Sequence, residues 1–63
     1  MTKRLTNLLP GQVCDCDAVV HPDGLAIIYV GPRVGDQAFI DIPREKALEL
    51  ARAIIEIMEE GDA

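Results

Sequence analysis

The run LAIIYV at residues 25–30 has no polar position, and it constrains the fold more than any other segment. A strand that is apolar on both faces belongs in the middle of a sheet with cover on each side. The runs around it alternate instead. In VCDCDAVV, residues 13–20, Cys14, Cys16, Ala18 and Val20 share one face, while Val13, Asp15, Asp17 and Val19 share the other. A third run, QAFIDI at residues 37–42, places Ala38, Ile40 and Ile42 opposite Phe39 and Asp41. HPDG at 21–24 joins the first two runs as a hairpin, because Pro22 pre-sets φ, Asp23 suits the next turn position and Gly24 accepts a left-handed backbone. GPRVGD at 31–36, with two glycines and a proline, separates the second run from the third.

Pro43 then marks the start of a helix, since a missing N–H costs nothing at the first helical position. The helix is expected to run to about Glu60, with Gly61 as its stop. At about 100° per residue, Ala47, Leu48, Leu50, Ala51, Ile54, Ile55, Ile57 and Met58 fall in an arc of about 180°, opposite Glu45, Glu49, Arg52 and Glu56. The expected fold is therefore α+β: a three-stranded antiparallel β-meander over 13–42, followed by one C-terminal amphipathic helix over 43–60 packed on one sheet face. Residues 1–63 form a single domain. An N-terminal arm covers 1–12, where Leu5, Leu8 and Leu9 are spaced for one helical turn or a short edge strand before Pro10-Gly11.

One helix cannot cover both faces of a sheet. If Cys16, Ala18, Val20, Ala38, Ile40 and Ile42 lie beneath it, the open face carries Val19 and Phe39 among aspartates. The second strand adds Leu25, Ile27 and Tyr29 if the hairpin has a three-residue PDG loop with a bulge at Gly24, or Ala26, Ile28 and Val30 if the loop has four residues. The helix arc is also wider than a small sheet needs, which leaves Leu48 and Ile57 at its margins. Contiguous apolar surface of more than a few hundred Å² is rare on monomers. Val19, Ile27, Tyr29, Phe39, Leu48 and Ile57 are thus the expected interface residues, and a homodimer, the commonest closed assembly, is the simplest use for them. A larger protein partner is the other.

At 63 residues, folding buries only about 60% of the surface of the unfolded chain, so a staple or a partner subunit would help. The net charge of −5, with six dispersed basic residues, disfavours direct nucleic-acid binding. An aromatic content of 3% leaves little for base stacking. No run approaches the roughly 20 apolar residues that span a bilayer, and MTKRLTNLLPGQ lacks a secretory h-region, so the expected setting is cytoplasmic, where thiols stay reduced.

VCDCDAVVHPDG, residues 13–24, gathers two cysteines, three aspartates and the single histidine. Cys14 and Cys16 are spaced to face one metal ion from a strand, but structural zinc needs four ligands, and His21, Asp15 and Asp17 alternate onto the other face. The expected role of both cysteines is as small core residues. A disulfide between them would sit at the limit of bridging geometry. No metal or other cofactor is expected. Asp15, Asp17 and Asp41 read as solubilising charges on a partly exposed face rather than as catalytic carboxylates, because so small a chain rarely encloses a dry pocket. The chain is expected not to be an enzyme.

Arg33 and Val34 stand at the tip of the second loop as candidate partner contacts. Glu56, Glu59, Glu60 and Asp62 form an acidic patch at the helix end, where the macrodipole is already negative. The reading is a non-enzymatic protein–protein interaction module. Its rivals are a dimeric metal or thiol protein built on Cys14 and Cys16, and an acidic mimic of nucleic acid that blocks a basic protein.

Overall fold

The computed structural model describes residues 1–61, so Asp62 of the acidic patch lies outside the described residues. It shows an antiparallel sheet and one C-terminal helix, with four strands where three were expected. The order along the chain and across the sheet is the same: β1 (Lys3–Leu5), β2 (Asp15–His21), β3 (Gly24–Val30) and β4 (Gln37–Pro43), followed by α1 (Arg44–Gly61). The apolar run thus becomes β3, an inner strand paired with β2 and β4.

The additional strand comes from the N-terminal arm. Lys3, Arg4 and Leu5 pair with Val20, Val19 and Ala18. Three residues show no readable alternation; what holds them is tertiary. Arg4 donates from Nε and Nη2 to Asp17 Oδ2 at 3.1 and 2.7 Å, and the Asn7 amide donates to Asp17 Oδ1 at 3.1 Å. Asn7 reaches that position with φ of 56°, a left-handed conformation that asparagine tolerates better than most residues. The Leu8 amide then donates to the Cys16 carbonyl at 2.8 Å, extending the attachment along β2.

The β2–β3 hairpin is tighter than either loop expected from the sequence. His21 pairs with Gly24, so only Pro22 and Asp23 lie between the strands. Gly24 is a strand residue, with φ of 153°, and a Cβ there would collide with the Ile42 carbonyl oxygen on β4. The register settles the faces. Cys16, Ala18, Val20, Leu25, Ile27, Tyr29, Ala38, Ile40 and Ile42 share one side, and Val19, Ala26, Ile28, Val30, Phe39 and Asp41 share the other. Ile27 and Tyr29 therefore do not lie on the open face with Val19 and Phe39, as a PDG loop would have put them; the open face carries Ala26, Ile28 and Val30, the set expected of the four-residue loop, because a two-residue loop keeps the same alternation.

Pro43 ends β4 rather than starting the helix. A proline is accommodated there because β4 is an edge strand and has a neighbour on one side only. The helix begins one residue later, and Arg44 Nη1 donates to the Pro22 carbonyl at 3.0 Å, tying its first turn to the hairpin tip. Gly61, expected as a stop beyond the helix, is itself helical. The helix packs on the side of the sheet that carries Ala18 and Ile27, against β3 and β4.

Among the described residues, only Ala18 and Ala26 are buried apolar side chains, at 5% and 6% exposure. The helix buries none. Accessible surface totals 5278 Å², against about 4,000 Å² for a compact monomer of this mass. The radius of gyration is 13.5 Å, where about 11 Å is usual for this length. The fold has its elements but not the core they would normally enclose.

Candidate functional site

The two sides of the sheet differ in charge. The side away from the helix carries Arg4, Asp15, Asp17, His21 and Asp41 between Val19, Ile28 and Phe39. The Arg4 guanidinium and the Asn7 amide hold the Asp17 carboxyl below its ordinary value of 3.8, by hydrogen bonds that require the carboxylate. This face is suited to water, although Phe39 is 64% exposed on it.

On the helix side, the sheet carries one charge, Lys3 at its margin. Leu5, Val20, Leu25 and Ile27 of the sheet, with Leu50 and Ile54 of the helix, wall a groove of about 350 Å³. Its walls are apolar, yet they are open: Val20, Leu50 and Ile54 remain exposed, Ile54 at 49%. Ile40 lies on the same side and is 53% exposed. Further along the helix Ile57 and Met58 are exposed at 62% and 67%. Leu48 faces the other way along the helix, over a smaller groove that it shares with Pro22, Val20 and Arg44.

The expected interface residues are thus divided. Val19 and Phe39 occupy the charged face; Ile27, Tyr29, Leu48 and Ile57 belong to the helix side. Nothing in the sequence pattern signalled the Arg4–Asp17–Asn7 anchor or the requirement for Gly24, because both depend on contacts between distant segments.

Cys14, Cys16 and Tyr29 come together at the far end of the helix-side surface. Cys16 stands directly opposite Tyr29, and Cys14 lies just before β2, beside the tyrosine hydroxyl. The negative charge of an ionised Cys14 so close, with partial burial second, pushes the Tyr29 phenol above its usual value of 10. Both cysteines are free and half-buried. Asp15 and Asp17 alternate to the other face, and among the described residues no three His, Cys, Asp or Glu side chains converge as a metal ion would need.

Arg33 and Val34 sit on a turn with internal hydrogen bonds. The Arg33 amide donates to Asp36 Oδ2 at 3.3 Å and the Asp36 amide to the Arg33 carbonyl at 3.1 Å. Gly35 takes φ of 91°, and Val34 projects fully into solvent. Glu56, Glu59 and Glu60 are exposed, with no basic residue in the last helical turn. Among the described residues, no helix is long and apolar enough to cross a membrane.

Comparison of the chain with protein-family models, with curated proteins and with solved structures returns no match. The reading of function therefore rests on the chemistry of these surfaces.

Proposed function

We propose that this chain is a non-catalytic interaction module that works as a homodimer, or docked in the same manner on a larger protein. The observation that carries the reading is an 18-residue amphipathic helix none of whose residues is buried. Most helical stability in proteins comes from packing an apolar face rather than from intrinsic propensity. The single chain supplies little such packing. Its surface exceeds that of a compact monomer by roughly 1,300 Å², while a standard interface removes about 800 Å² per partner. A second subunit covers the excess if the interface is of the larger, obligate kind, which buries about 2,000 Å² or more in total.

The cysteines fit this reading as half-buried apolar side chains beside Tyr29. Arg33 and Val34, on an ordered turn, are available to a further partner.

Native mass spectrometry of the reduced protein, with and without added zinc, tests subunit count and metal content together. The expected species is a metal-free dimer in both samples. A monomer that persists to several hundred micromolar protein would overturn self-association, and a dimer with stoichiometric zinc would move the function to Cys14 and Cys16.

A further inference from the structure

We propose that the second copy seats on the helix side of the sheet, its own helix lying beside α1 over the open groove, rather than on the face that carries Val19 and Phe39. The proposal rests on self-association and names its surface.

Three observations converge. A four-stranded sheet measures about 14 Å between its outer strands at 4.8 Å spacing, whereas a helix with its side chains is about 10 Å across. One helix, packed against β3 and β4, leaves the rest of the face uncovered, and the groove beside Leu50 and Ile54 is that uncovered strip. Second, charge separates the two sides. A buried Asp15 or Asp41 would need a partner cation, while the helix side asks for none beyond Lys3 at its edge. Third, the helix arc is about 180° wide, and only part of it faces this chain's own sheet. Ile57 and Met58 keep most of their surface in water within the chain. A two-fold axis beside the helix would set these residues against their counterparts and against Leu50 and Ile54, because an isologous contact uses one patch twice.

The occupant is a second copy, because the missing cover is an apolar helix face of the kind the chain itself displays, and the excess of roughly 1,300 Å² per chain, about 2,600 Å² for two chains, falls in the range of obligate homodimer interfaces. The test is isotope-filtered NMR on an equimolar mixture of labelled and unlabelled full-length protein. Intermolecular contacts are expected among the methyl groups of Leu50, Ile54, Ile57 and Met58. Contacts at Val19 and Phe39 instead would overturn the surface while leaving self-association intact.

Two variants give a second readout. Ile57→Lys is a good helix former at an exposed position and should leave helical circular dichroism in place at high protein concentration. It should weaken dimerisation on the order of 100-fold, because a charge would be trapped in a desolvated contact. Phe39→Asp should leave the dissociation constant within about threefold, as expected of a substitution outside an interface. The reverse pattern would place the partner on the charged face. A monomeric wild type would remove the dimer, and this surface with it.

Discussion

Truncation of Ile57 to alanine isolates the proposed interface from the fold of the single chain. Ile57 is 62% exposed within one subunit. Fully burying an isoleucine is worth about 1.5–3 kcal/mol, so the part still facing water corresponds to about 1–2 kcal/mol on dimerisation. Two-fold symmetry counts that loss twice, giving about 2–4 kcal/mol per dimer. The dissociation constant should therefore rise roughly 30-fold to 1,000-fold. Alanine is the better helix former by a few tenths of a kcal/mol, so the helix of the separated subunit is not weakened by the change. Sedimentation equilibrium at several loading concentrations measures the constant, and Glu56→Ala, one residue away on the charged side of the helix, is the control. If Ile57→Ala leaves the constant within threefold and lowers the stability of the monomer instead, Ile57 packs against its own chain and the reasoning fails.

Thermal stability should depend on protein concentration, because dissociation accompanies unfolding. For two 63-residue chains the midpoint should rise about 5 °C per tenfold concentration, and melts that superimpose across a hundredfold range would contradict it. Gly24→Ala should cost about 3 kcal/mol in urea denaturation, since a Cβ meets the Ile42 carbonyl and the backbone is left-handed in sign; a loss below about 0.5 kcal/mol would show that β4 gives way easily. Asp17 has a folded-state pKa below its ordinary 3.8, so its contribution is present above that value and is lost as pH falls through the folded one. Asp17→Asn should accordingly flatten the acid limb of a stability–pH curve, and an unchanged limb would assign that limb to other carboxylates.

The parts of the fold readable from sequence are those specified by local pattern. An unbroken apolar run gave an inner strand, alternation gave β2 and β4, and a 3.6-residue period gave the helix. Each miss has a non-local cause. A short edge strand was one of two readings of the arm, and what decides for it is the Arg4–Asp17 pair, thirteen residues apart, which no window across Lys3–Leu5 contains. Gly24 reads as a turn residue, but it pairs with His21 and lies against β4 as part of β3, and this register turns Ile27 and Tyr29 to the helix side. Pro43 carries a helix-start signal, but β4 extends through it because an edge strand has no second neighbour to require its N–H. The candidate surface was half legible. The excess of apolar residues is plain from composition and arc width, whereas the choice of face depends on the hairpin register.

The sign of the salt dependence separates the apolar interface from the acidic one. Each chain carries a net charge of −5, so two chains approach against mutual repulsion. Salt screens that repulsion over about 8–10 Å near physiological strength. The proposed contact uses Leu50, Ile54, Ile57 and Met58 and leaves Glu56, Glu59 and Glu60 on or near the rim, so added salt should hold the dissociation constant steady or lower it. Docking of the acidic helix end on a basic protein has the opposite sign, since screening removes the attraction that drives it. Sedimentation of the chain alone between 50 mM and 1 M sodium chloride reads the difference directly: dimers that dissociate as salt rises would mean that ion pairs, and not the uncovered helix face, hold the subunits together.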